Sequence, residues 1–121
     1  MDASRVEIMV YGKILLVVAM LSVGQILFKA TGVALRQAGA SITSASVFLP
    51  FATAGVVYAL ASLLWVNALS DTPLAIAYPA TALSFVLVPI ASYYFFQEQL
   101  NLVNVMGLGV IIIGVALSQY R

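Results

Sequence analysis

Four apolar runs separated by three short polar connectors account for nearly the whole chain. The runs cover residues 14–35, 47–69, 73–96 and 102–118. Crossing a hydrocarbon core takes about 20 residues at a rise of about 1.5 Å each, so the pattern predicts four transmembrane helices. Ahead of them, Asp2, Arg5, Glu7 and Lys13 alternate with Val6, Ile8, Met9 and Val10, which predicts a short amphipathic interfacial turn. Residues 36–46 form the longest connector, Asp71-Thr72-Pro73 a tight turn, and 97–101 the last connector. Pro50 is expected in the first turn of the second span, where a missing N–H does no harm. Pro79 and Pro89 remove backbone hydrogen bonds inside the third span, giving either bends that open a lateral cleft or static kinks. That span ends in Tyr93, Tyr94, Phe95 and Phe96, which suit the headgroup level.

Composition fixes the class. Of 121 residues, 64% are hydrophobic and 7% charged, far from the roughly even balance of a soluble domain. The expectation is an all-α membrane protein, one four-helix domain over residues 1–121 that is completed by dimerisation. Neither a separate extramembrane domain nor a cleavable signal peptide is expected, since residues 14–35 are too long for a signal core. The absence of Cys and His rules out disulfides and thiolate or imidazole metal sites. A net charge of +1 suggests no nucleic-acid partner. No nucleophile–base pair or metal set is evident, so neither an enzyme nor a cofactor is expected. Four spans place both termini on one side, with Arg5, Lys13 and Arg121 there against Lys29 and Arg36 opposite, 3 against 2. The positive-inside rule favours cytoplasmic termini in a multi-pass protein of the bacterial inner membrane, and a bias of one residue permits dual orientation.

Candidate chemistry starts in the first span. Ser22, Gln25 and Lys29 project within about 60° of one another on a helix, and an ionisable group within a span is a functional-site candidate by default. Tyr58, Ser62, Trp65 and Leu69 share a face of the second span, and Tyr78, Thr81 and Phe85 one of the third. These are either aromatic walls of a site or packing and interfacial aromatics. Glu98, in the last connector, lies on the membrane side of Lys29; Lys29 either forms a structural ion pair with it or holds a substrate anion. Gly107 and Gly114, one heptad apart, permit close approach of a second chain or serve packing within the subunit.

The segments SVGQILFK in the first span, PLAIAYPATALSFVLVPIASYYFFQEQLN and GLGVIIIGVAL together resemble four-helix members of the drug/metabolite transporter superfamily. Two branches compete: small multidrug resistance exporters, and flippase subunits for aminoarabinose-phosphoundecaprenol. The exporters carry a glutamate in the first helix where this chain has Leu21, and no other acid falls within a span. The second branch shows the residues found here as Ser22, Val23, Gly24, Gln25, Lys29, residues 76–79, Phe85, Val86 and Glu98. The chain departs from it in having Ser22 and Gly24 one residue closer, which leaves the sugar open. The resemblance implies a flippase for a polyprenyl-phosphate sugar, working as a homodimer or a heterodimer with a similar four-helix protein. Lys29 would hold the phosphate, with Gln25, Ser22, Tyr58, Trp65, Tyr78, Thr81 and Glu98 around the head group. The alternatives are an exporter of small organic molecules and a non-transport assembly subunit for a membrane glycosyltransferase.

Overall fold

The computed structural model describes residues 3–39, 41 and 43–120. Its first element, α1 (Ala3–Gln37), is one continuous helix, so the expected interfacial turn is simply the start of the first span. Nothing between Ala3 and Lys13 breaks a helix: the stretch has no proline and a single glycine, Gly12. The helix is 35 residues long, or about 52 Å, well beyond a hydrocarbon thickness of about 30 Å. Asp2, expected in that turn, and Arg121, counted above among the terminal charges, lie outside the described residues. Gly39, at φ 64°, turns the chain after α1, a conformation that glycine adopts without a Cβ clash.

Helix α2 (Ala45–Ser70) begins two residues before the apolar run, which puts Pro50 in its second turn rather than its first. The Pro50 ring therefore withdraws a hydrogen bond from inside the helix. After the turn at Asp71, the Pro73 carbonyl accepts from the Ile76 and Ala77 amides, both at 3.0 Å, and starts α3 (Leu74–Ala80). Just beyond Pro79 the backbone tightens into a 3₁₀ turn, Thr81–Leu83, before continuing as α4 (Ser84–Phe96). Helix α5 (Leu102–Gln119) opens on a reciprocal cap: the Asn101 side chain accepts from the Asn104 amide at 2.8 Å, and Asn104 returns the bond to the Asn101 amide at 3.2 Å. Four membrane-length segments result among the described residues, with α3 and α4 together forming the third. The protein is an all-α membrane protein with four transmembrane helices.

The principal packing seam joins α1 and α2. Along α1 the buried positions Val10, Val17, Gly24 and Thr31 recur every seven residues, with Ile14 and Val18 beside them. Along α2, Val47, Ala54, Ala61 and Ala68 do the same. A heptad of small side chains lets two helices approach closely and cross at about 20°. At the end near the chain termini, Val10, Ile14 and Val18 pack with Ala68, Ala77 and Ala80, flanked by Trp65, Leu69 and Leu83. Polar contacts pin this same end. The Tyr11 hydroxyl donates to Gln119 Oε1 at 3.0 Å, Gln119 Nε2 donates to the Ile76 carbonyl at 3.0 Å, and Lys13 lies 3.7 Å from Asp71.

Helix α5 lies at the periphery, against α3, the 3₁₀ turn and α4, and Val115 is its one buried residue among those described. A Cβ built on Gly107, Gly109 or Gly114 would meet nothing within 4 Å. Packing inside the subunit is therefore not what these glycines serve. Gly107→Ala and Gly114→Ala should each leave the subunit folded and raise its stability by up to about 1 kcal/mol, because glycine is a poor helix former. Thermal unfolding of the monomer in detergent checks this, and a loss of stability would mean that the glycines pack within the chain.

Candidate functional site

Two cavities follow one row of α1. Val17, Leu21, Gln25 and Lys29 stand at i, i+4 spacing, a row that drifts by about 40° per step around a helix of 3.6 residues per turn. The first cavity, about 610 Å³, is lined by Val17, Leu21 and Gln25 from α1, by Tyr58, Ala61, Ser62 and Trp65 from α2, and by Tyr78, Thr81, Ser84, Phe85, Val88 and Pro89. No charged side chain lines it among the described residues. The second, about 830 Å³, takes in Gln25, Phe28 and Lys29, then Ser92, Phe96, Glu98, Asn104 and Gly107 among others. Gln25, Val88 and Pro89 line both. Polarity thus rises along the row, from valine and leucine through an amide to an ammonium.

Gln25 is held where the cavities meet. Its Nε2 donates to the Tyr58 hydroxyl at 2.6 Å. That contact depends on Gly24, because a Cβ there would fall on the Tyr58 ring. Phe28 stacks against the same ring, with centroids 5.1 Å apart and planes at 27°. The aromatic faces expected of α2 and of the third span confront each other across the first cavity, except that Leu69 turns to the core. The Thr81 hydroxyl donates to the Tyr78 carbonyl at 2.6 Å and that of Ser62 to the Tyr58 carbonyl at 2.8 Å. These hydroxyls keep lone pairs to offer. The Tyr78 hydroxyl and the Trp65 indole N–H make no hydrogen bond among the described residues.

Lys29 Nζ lies 2.9 Å from Glu98 Oε1, with the two side chains 49% and 44% exposed. Glu98 is placed by its own backbone. Gln97 adopts a left-handed φ of 57°, and the amides of Gln97 and Glu98 both reach the Ser92 carbonyl, the latter at 3.4 Å. The Lys29 ammonium, and then the neighbouring Ser92 side chain, hold the Glu98 carboxyl below the usual carboxylate range.

Of the residues singled out in the sequence, Lys29, Gln25, Tyr58, Trp65, Tyr78, Thr81 and Glu98 all line the two cavities. Ser22 does not. It is buried, and its hydroxyl donates to the Val18 carbonyl at 2.8 Å. A straight polar face includes Ser22, whereas the cavities follow the inclined row, which passes it by. Gly24 as a seat, Phe28 as a stacking partner, and Ser92 and Gln97 as supports of Glu98 went unread. A glycine next to a polar residue within a span was the available signal for the first of these.

The architecture defines a small multi-pass membrane protein with a polar-ended cleft along its first helix. The chain belongs to the EamA-like transporter family, which it matches over residues 7–120. It is 47% identical over 73 residues to the probable 4-amino-4-deoxy-L-arabinose-phosphoundecaprenol flippase subunit ArnE of Aeromonas salmonicida (strain A449), covering 59% of this chain and 63% of the relative. To the protein of the same description from Yersinia pseudotuberculosis serotype O:1b (strain IP 31758) it is 37% identical over 70 residues, covering 58% and 61%. A third, from Hamiltonella defensa, is 34% identical over 55 residues, covering 46% and 50%. The chain thus spans between half and two thirds of the length of these curated relatives. Their names describe transport rather than catalysis. No solved structure matches the chain.

Gly24→Ala overpacks the Tyr58 ring and should cost about 1–3 kcal/mol, while Tyr58→Phe removes one hydrogen bond worth about 1 kcal/mol. Because both act on the same contact, the double variant should lose less than the sum in a denaturation cycle. The pH response of the ion pair has a definite sign. A carboxyl whose pKa is depressed on folding stabilises the fold above its unfolded value, and that contribution is lost as pH falls through the depressed one. Melting temperature should therefore show an acid limb below the usual carboxylate range, and Glu98→Gln should remove the part due to this pair.

Proposed function

We propose that this chain is a flippase subunit that moves a polyprenyl-phosphate sugar across the bacterial inner membrane. The observation that carries the reading is Lys29, the one cationic side chain lining the cleft among the described residues, placed beside an uncharged aromatic chamber. A lipid-linked sugar presents an anionic phosphate, hydroxyls that need hydrogen bonds, and a tail that stays in lipid while the head crosses. Lys29 exchanges Glu98 for the phosphate, as a point charge does readily. Gln25, Tyr58, Trp65, Tyr78 and Thr81 replace water around the sugar, and Ser22 supports α1 without touching the ligand. Leu21 puts methyl groups where proton-coupled cation exporters place a glutamate, which favours an anionic over a cationic substrate. The names of the ArnE relatives support the same substrate class.

The residues 1–121 act in this reading as one four-helix domain and half of a carrier, since carriers build their pathway between two related halves. The partner is a second copy or a similar four-helix chain, seated on the exposed face of α5 that carries Gly107 and Gly114. The termini are cytoplasmic, with the near-balanced charge permitting both orientations.

Lys29→Met should reduce head-group flipping in proteoliposomes by at least about a hundredfold, as expected when a desolvated charge contact is lost, while the protein stays folded. The double variant Lys29→Met, Glu98→Gln leaves no charge unpaired, so it should match the parent in thermal stability and remain inactive. Flipping by the double variant at the parent rate would overturn the phosphate-binding role, and flipping by both variants would favour an assembly subunit. Tight, proton-competed binding of a lipophilic cationic dye would instead favour the exporter reading.

A further inference from the structure

We propose that the Lys29–Glu98 pair reads the charge pattern of the head group, with Glu98 as the specificity residue that takes a free amine while Lys29 takes the phosphate. This rests on the phosphate-binding reading of Lys29 and goes beyond it by giving Glu98 a ligand of its own. Among the described residues, the second cavity is lined by one cation and one anion, 2.9 Å apart. The cavity is neutral as a whole.

A phosphodiester linking a sugar to a polyprenol carries one negative charge. If such a head group took Lys29 alone, Glu98 would be left beside the phosphate with no counter-charge, two anions in one small chamber. A head group that also carries an ammonium is neutral overall and removes this conflict. Its phosphate pairs with Lys29, its amine with Glu98, and the exchange turns one internal ion pair into two without adding net charge. Plain phosphate lipids, and those whose amine is acylated, lack the second half of the exchange. Specificity arises here from the rejected ligand's unpaired charge as much as from the accepted ligand's contacts.

The structure supplies two further supports. Lys29 stands on α1 and Glu98 on the connector between α4 and α5, so the charges belong to separate elements that can part around a ligand. Glu98 does not rely on Lys29 for its place, because the left-handed Gln97 and the two amides on the Ser92 carbonyl set its backbone. The backbone of Glu98 therefore stays at the cavity once the phosphate has displaced its carboxylate from Lys29, and the side chain keeps its reach into the chamber.

The test uses the full chain in nanodiscs, retaining any partner subunit that co-purifies, and three synthetic probes: farnesyl phosphate esterified with 4-amino-4-deoxyarabinose, the same lipid with its amine formylated, and farnesol. The native protein should bind the free amine at least about tenfold more tightly than the formylated lipid, in keeping with one exchanged charge contact. Glu98→Gln should bring the two within about twofold, and Glu98→Asp should restore the preference. Equal binding of both phosphate lipids to native protein, each above farnesol, overturns this inference and leaves the phosphate reading intact. A preference that survives in Glu98→Gln overturns it as well. Binding of neither phosphate lipid above farnesol removes both readings. The comparison of probes on native protein holds even if a variant fails to fold.

Discussion

The close approach of α1 and α2 is the constraint on which the rest of this structure depends. Within a bilayer, lipid tails are as apolar as leucine, so helices associate through tight packing and polar contacts rather than by escaping water. The seam meets that demand with Val10, Val17, Gly24 and Thr31 against Val47, Ala54, Ala61 and Ala68, all buried. Its glycine then acts a second time. By admitting the Tyr58 ring against the α1 backbone, Gly24 brings the Tyr58 hydroxyl to Gln25 and so sets the boundary between an uncharged cavity and a charged one. A bulkier residue at this one position would loosen the seam and move that boundary together.

Electrostatics at the open end has a different character. A half-exposed ion pair is screened by solvent and contributes little to a fold, so Lys29 and Glu98 are poor candidates for holding the helices together. Weakness suits a pair that a ligand must separate. The other end of the bundle is the reverse case, where Gln119 spends both ends of its amide on Tyr11 and the Ile76 carbonyl and ties three elements at once.

Much of the fold was legible because a bilayer imposes one structural solution on an apolar run of sufficient length, with every backbone group satisfied inside its own helix. The candidate site was legible in part: a lysine in such a run calls for a counter-charge or a ligand, and Glu98 was the acid expected on its side of the membrane. What escaped were features that depend on where one helix sits against another. Ser22 looks equivalent to Gln25 on an isolated helix, and only packing shows it buried against its own backbone. The heptads of Val47, Ala54, Ala61 and Ala68 were present in the sequence but are silent as chemistry, since alanine in a membrane helix reads as filler until its spacing is counted. Pro50 was misplaced because α2 takes in Ala45 and Ser46 ahead of the apolar run, with the Ser44 carbonyl accepting the first helical amides. The left-handed Gln97 had no signal at all, since glycine or asparagine would be the usual residue there.

The arrangement of contacts also bears on how a lipid would use this bundle. Among the described residues α2 meets α1 and α3 but does not approach α4 or α5, although Tyr58, Ser62 and Trp65 of α2 share a cavity with Phe85, Val88 and Pro89. The first cavity is therefore walled by two helices that lean on a third and leave a gap between themselves. Tyr78 and Phe85, at 66% and 64% exposure, stand on the third-span side of that cavity. Under the proposed function, a polyprenyl tail passing through this gap stays in lipid while its head group reaches Gln25 and Lys29, and no backbone need be exposed to hydrocarbon to admit it. The 3₁₀ turn beyond Pro79 falls between the end pinned by Gln119 and the connector bearing Glu98. The third span is thus anchored on both sides of its 3₁₀ turn, by Gln119 on the α3 side and by the packing of α4 on α1 beyond it, so the gap toward α2 is built into the way the two helices lean on α1.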